Sequence, residues 1–196
     1  MSDVQEPGRP APAMSGGEGG AGGAATLVAG EPRTREVAAT DRITPCLWFQ
    51  EANAEEAVNF YVSLLPGSRV LAIGRYPESG PGTPGSVLFI TFDLAGRKFL
   101  ALNGSGDFPF SQAVSLIVQC EDQDEIDRLW AMVGEGGAPL RCGWIKDRYG
   151  MPWQIVPAAL ESWVLGDPER ANRVMIALHD MVKIDIAVLR AAFEDD

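Results

Sequence analysis

Apolar and polar positions spell one order of elements twice. The run Ile43-Thr-Pro-Cys-Leu-Trp-Phe predicts a strand. Behind it, Ala57, Phe60, Tyr61 and Leu64 recur at helical spacing. Asn53 is the candidate N-cap, and Glu55 and Glu56 sit in the first turn, where the helix dipole favours negative charge. Pro66-Gly67 ends the helix. Strand-like runs follow at 69–73, 86–94 and 98–103. A Gly/Pro-rich connection spans 77–85, and Ala95-Gly96 predicts a tight hairpin.

The order then restarts. Residues 113–120 predict a strand and 124–133 a helix, a break follows at 134–137, and short strands are expected near Leu140, at 143–146 and at 151–156. Glu55-Glu56-Ala57-Val58-Asn59-Phe60-Tyr61 aligns in pattern with Asp124-Glu125-Ile126-Asp127-Arg128-Leu129-Trp130. That is a diverged βαβββ duplication. Beyond Pro157, Asp167-Pro168 opens a helix striped by Ala171, Val174, Met175 and Leu178, and a second starts at the Asp185 cap with Ile186, Leu189 and Phe193. Their stripes must be buried on the main domain or on another copy of it.

Residues 1–40 break the pattern. They carry Met14-Ser-Gly-Gly-Glu-Gly-Gly-Ala-Gly-Gly-Ala-Ala beside Pro7, Pro10, Pro12 and Pro32. With so little to bury, the segment cannot offset its ordering entropy and is expected to be disordered. Three regions result: a 1–40 tail, a 41–157 domain with modules at about 41–106 and 112–157, and a 158–196 helical extension.

Charge narrows the partners. A formal net charge of −11 repels nucleic acid and anionic membranes, and no Lys/Arg cluster offsets it. No stretch approaches the roughly 18 apolar residues of a membrane helix, and no basic-then-apolar leader marks export. Cys46, Cys120 and Cys142 are too scattered for a disulfide framework. The expectation is a cytoplasmic protein without nucleic-acid or membrane partners.

Several motifs carry little chemistry. Gly16-Gly-Glu-Gly-Gly neither follows a strand nor opens a helix, so it cannot cradle a phosphate. Cys46 has no histidine in its domain to act as base, and Cys142 reads as a packing element at a strand start. The single histidine, His179, lies in the C-terminal helix without metal-ligating neighbours. The carboxylates over 121–127 read as a solvated helix face, lacking the alternating pattern of a calcium loop. Asp147-Arg148 reads as a hairpin with local ion pairing. Asn103 is either a ligand anchor or a turn former. Trp48, Trp144 and Trp153 either wall a ligand or fill the core, with Trp153 expected against a helix.

The stretches Ile43-Thr-Pro-Cys-Leu-Trp-Phe, Ala101-Leu-Asn-Gly, Cys142-Gly-Trp-Ile-Lys-Asp-Arg-Tyr-Gly-Met-Pro-Trp-Gln-Ile-Val-Pro and Lys183-Ile-Asp-Ile resemble the PhnB-like branch of the vicinal oxygen chelate superfamily. That superfamily includes glyoxalase I, fosfomycin and bleomycin resistance proteins, and extradiol dioxygenases. The resemblance spans roughly 41–193 and implies an α+β fold, two βαβββ modules forming an open cup-shaped mixed sheet, with a ligand inside and C-terminal helices added. Many members are labelled 3-demethylubiquinone 3-methyltransferase-like, yet the glycine loop that a methyl-donor site normally uses is lacking.

In metal-using relatives, His, Glu or Gln stand near the middle of four strands. Strand parity carries those positions over. Ile43, Leu47 and Phe49 should pack on helices, leaving Thr44, Cys46 and Trp48 inward. Leu116, Val118 and Cys120 should pack, leaving Ser115, Ile117 and Gln119 inward. Thr44 and Ser115 fall where histidines usually stand, Gln154 falls at a common Glu position, and the fourth is Leu100 or Ala101 with Asn103 the nearest polar group. Such neutral groups will not hold a divalent transition metal.

The expected function is metal-free and cofactor-free binding of a small organic molecule by a homodimer, with Thr44, Trp48, Asn103, Ser115 and Gln154 as ligand-binding residues. One alternative is an enzyme, glyoxalase-, lyase- or oxygenase-like, acting on a small metabolite. Another is a helix-mediated interaction module. Deleting residues 1–38 should leave the melting temperature within a few degrees of the full chain by calorimetry, because that tail has little apolar surface to lose. A larger drop would show that it docks.

Overall fold

The computed structural model describes residues 42–50 and 52–195; the expected disordered tail lies outside them. The duplication is explicit in the topology. In the first module β1 (Cys46–Phe49), α1 (Ala54–Leu64), β2 (Arg69–Arg75), β3 (Val87–Leu94) and β4 (Arg97–Asn103) form a sheet of order β1-β4-β3-β2. The second repeats it with β5 (Leu116–Cys120), α2 (Gln123–Gly134), β6 (Ala138–Pro139), β7 (Trp144–Lys146) and β8 (Pro152–Pro157), in order β5-β8-β7-β6. In each, first and last strands pair parallel and the rest antiparallel. The fold is α+β, with two separately hydrogen-bonded sheets whose edges are β1 and β2 in the first and β5 and β6 in the second. Ala95 and Gly96, both with positive φ (48° and 81°), make the β3–β4 hairpin as expected.

Alternation sets each sheet's two faces. Leu47 and Phe49 are buried on the helix side while Cys46 is exposed and Trp48 half-buried. On β4 the buried set is Phe99, Ala101 and Asn103, so Leu100 and Leu102 take the open face and the ambiguous fourth position is Leu100. Ile43, expected to pack, is 88% exposed, because β1 starts only at Cys46 and Ile43 precedes it.

The N-terminus of α1 corrects a second expectation. Asn53 makes no side-chain cap. Asn103, 7% exposed at the end of the parallel neighbour strand, accepts from Ala54 N at 3.0 Å and donates to Val87 O at 3.0 Å. A side chain distant in sequence therefore satisfies an orphan helix donor and ties α1 to β3 and β4.

Asp147 corrects a third. It is no exposed ion-pairing residue but 3% exposed at the β7–β8 turn. Its carboxylate accepts from Tyr149 N at 2.8 Å, Met151 N at 3.0 Å and Trp153 Nε1 at 2.9 Å. Arg148 instead pairs with Glu135, at 3.3 Å. Burial raises the Asp147 pKa, against the hydrogen bonds, which lower it. Trp153, on the helix side as expected, sets its ring edge-on to Tyr61 of α1 at 5.3 Å between centroids. Arg128 of α2 donates to Leu64 O, at the end of α1, at 3.1 Å, and Tyr149 Oη donates to Glu56 at 2.9 Å. The modules thus meet through their helix sides.

The C-terminal helices are α3 (Leu160–Leu165), which the sequence pattern did not reveal, α4 (Pro168–His179) and α5 (Ile186–Glu194). Asp167 and Asp185 cap α4 and α5 as expected. The segment between them docks on module two. Cys142 N and Gly143 N donate to Met181 O and Val182 O, and Gln123 donates to Ile184 O while accepting from Ile186 N. Gly143 is required there: its φ is +75° and a Cβ would lie 2.7 Å from the buried Ile184 side chain. Among the described residues no helix is long and apolar enough to cross a membrane.

Asp147→Ala strands two buried donors and one half-buried one, so it should cost about 3 kcal/mol or more in denaturant melts. A cost below about 1 kcal/mol would show that the carboxylate is incidental.

Candidate functional site

The residues singled out from sequence separate into four places. Ser115 and Gln154 come together: Gln154 Nε2 donates to Ser115 Oγ at 2.8 Å, across the parallel β5–β8 pair. This leaves the serine hydroxyl proton and the glutamine carbonyl oxygen to meet a ligand. Ile117 lies opposite Gln154 in register and is 59% exposed. Trp144 is opposite Gln154 on its other side, half-buried, so the aromatic neighbour of that amide is Trp144. Ser115 and Ile117 border a cavity of about 690 Å³ along the open β5 edge, closed on its far side by Leu94, Arg97 and Phe99. That volume is in the range of small-molecule sites, about 300–1,000 Å³.

Trp48 lies elsewhere. It borders a second cavity of about 410 Å³ with Gln50, Asn53, Phe108, Phe110, Lys146, Arg148 and Tyr149. Thr44 is half-buried just ahead of β1. Asn103 leaves the candidate set on geometry: both ends of its amide are bonded inside the fold, as the α1 contact requires. Sequence reasoning did not single out Gln50, Lys146 or Arg148, because their grouping depends on how the modules meet.

The four positions that the resemblance matches to metal-holding ones in relatives would be Thr44, Leu100, Ser115 and Gln154. Hydroxyl, hydrocarbon, hydroxyl and amide do not fit a divalent transition metal, which favours imidazole, thiolate or carboxylate. Among the described residues no three His, Cys, Asp or Glu side chains converge. The thiols are no substitute. Cys46 is pushed up by burial, and Cys120 is pushed to about 12, by burial first and the Glu125 charge second. His179 is 70% exposed beside Asp180, far from being a ligand set.

Residues 41–156 match the family described as 3-demethylubiquinone-9 3-methyltransferase. Among solved structures, the chain is similar to a putative 3-demethylubiquinone-9 3-methyltransferase, PhnB protein, from Bacillus cereus. The identity is 39%, the match covers 60% of this chain and 99% of that one, and the TM-score is 0.56. A Pseudomonas aeruginosa protein matches at 21% identity over 59% of this chain and 96% of that one, with TM-score 0.49. A possible glyoxalase from Bacillus cereus matches at 15% identity over 59% and 98%, with TM-score 0.39. No curated protein matches the chain.

The polar geometry orders two variants. Asn103→Ala orphans a buried helix donor and a strand carbonyl and should cost about 2 kcal/mol or more. Gln154→Ala, losing one half-buried bond, should cost less than about 1 kcal/mol. Urea melts of both would check this, and the reverse order would make Gln154 the structural residue.

Proposed function

The chain belongs to the 3-demethylubiquinone-9 3-methyltransferase family, the PhnB-like group of the vicinal oxygen chelate superfamily, and from that premise we propose that it binds a small organic molecule as a homodimer, through neutral hydrogen-bonding groups and without a metal. The observation that carries this reading is the Ser115–Gln154 pair. Held together by the 2.8 Å bond from Gln154 Nε2 to Ser115 Oγ, it offers a hydroxyl donor and an amide carbonyl acceptor on an open sheet face beside exposed Ile117 and half-buried Trp144. An apolar surface with a few placed polar groups suits an uncharged or weakly polar ligand. Thr44, at the third metal-equivalent polar position, adds a hydroxyl from the first module.

A second copy completes the site. Each sheet ends on two unpaired edges, and those beside the parallel pairs are β1 in one module and β5 in the other. The modules of one chain are joined by their helix sides, through Tyr61 and Trp153. Open edges and open faces are thereby left for a partner, and an edge strand carrying Ile117 at 59% exposure is a liability unless covered. A second copy brings the complementary edge, and the paired sheets then enclose the ligand. The free cysteines suit the reducing cytoplasm.

Methyl transfer, which the family name implies, finds little support in the chain. The helices that follow strands directly, α1, α2 and α3, are entered through Gln50, Ala52 and Asn53, through Glu121 and Asp122, and through Ala158 and Ala159, without a glycine to let a cofactor approach the backbone. Native mass spectrometry of full-length protein, gently isolated, is expected to give a dimer retaining a small organic mass that survives chelator. A monomer, or a retained transition metal lost to chelator, would overturn the reading.

A further inference from the structure

The second cavity has an unbalanced set of polar groups. Four buried side-chain atoms among the described residues lack a hydrogen-bond partner, and three of them belong to residues that line it: Trp48 Nε1, Gln50 Nε2 and Asn53 Oδ1. Buried polar groups are almost always satisfied, so three orphans grouped on the residues of one cavity point to a missing partner there. Among the described residues its charged lining groups are Lys146 and Arg148, in a chain of formal net charge −11. Arg148 is partly engaged, by Glu135 at 3.3 Å and by stacking over Phe60. Lys146 has no ion pair among the described residues.

The other walls are aromatic. Trp48, Phe49, Phe108, Phe110 and Tyr149 surround a space of about 410 Å³, enough for a single substituted ring. The connection from β4 to β5 forms the roof. Gly104 lies flat on the indole, where a Cβ would stand 2.1 Å from the ring, and Phe108 stands edge-on to it at 5.6 Å while 63% exposed. A largely exposed phenylalanine thus stands beside the indole whose N–H is unpartnered.

We infer that this cavity is a binding site for a small aromatic carboxylate bearing a ring hydroxyl. The carboxylate takes the Lys146 ammonium together with the Trp48 and Gln50 N–H donors. The hydroxyl donates to Asn53 Oδ1, and the ring packs among the aromatic walls. Carboxylate and hydroxyl match the two donors and one acceptor left over, and the flat body matches the walls. The site lies apart from the Ser115–Gln154 pair and does not rest on the function proposed for it.

The test uses full-length protein and 3-hydroxybenzoate, with 3-hydroxybenzyl alcohol as its neutral counterpart. The chain has five tryptophans, so its nitrogen-15 spectrum resolves a small set of indole N–H signals, and Trp48→Phe assigns the one at issue. Titration with 3-hydroxybenzoate is expected to move the Trp48 indole signal saturably, with binding at least tenfold weaker for the neutral alcohol. Lys146→Met and Gln50→Leu should each weaken the carboxylate about tenfold while the remaining spectrum stays folded. An unmoved Trp48 signal, equal affinity for the alcohol, or unchanged affinity in both folded variants would overturn the assignment.

Discussion

The carboxylate of Asp147, accepting from two backbone amides and the Trp153 indole, fixes the β7–β8 turn and with it the seam between the modules. Burying a carboxylate is unfavourable, and the raised pKa records that cost, which the hydrogen bonds offset in part. What is gained is position. Trp153 is held by its polar edge, so its ring faces Tyr61 of the other module's helix. Around that contact lie the edge-on Phe49–Tyr149 pair and the Tyr149–Glu56 hydrogen bond.

Because the helix sides are used to join the modules, the opposite sheet faces and the edge strands β1, β2, β5 and β6 are what the chain presents outward. The distribution of polar groups follows from this. Asn103, on the helix side, has both ends of its amide bonded within the fold. Gln154 and Ser115, on the open side, bond each other once and keep capacity in reserve. The same residue chemistry does structural work on one face and remains available on the other.

The cavity under Phe108 differs again. It forms where β1, the end of β7 and the module linker meet, and its polar atoms are left unmatched by the fold itself. A well-packed interior rarely tolerates this. Contrast the C-terminal segment, where Gln123 donates to Ile184 O and accepts from Ile186 N of the docking segment, and the Lys183–Asp127 pair at 2.5 Å closes its surface. There the polar groups are matched.

The repeat, its helices and the alternation of strand faces were legible from sequence, because they depend on local periodicity and on chemistry within a few residues. The Asp167 and Asp185 caps are such cases, each bonded to amides two or three residues ahead. So are the Ala95-Gly96 turn and the inward parity of Ser115 and Gln154. The role of Asn103 was not legible, since its partners Ala54 and Val87 lie 49 and 16 residues away. Nor was Asp147, whose burial depends on Trp153 folding back across a hairpin. The short α3 gave too few turns for a periodic signal. Residue type and spacing determined which side of a strand each group occupies. Only the tertiary structure decided which groups meet there, because burial and hydrogen-bond supply are set by chain segments far apart in sequence.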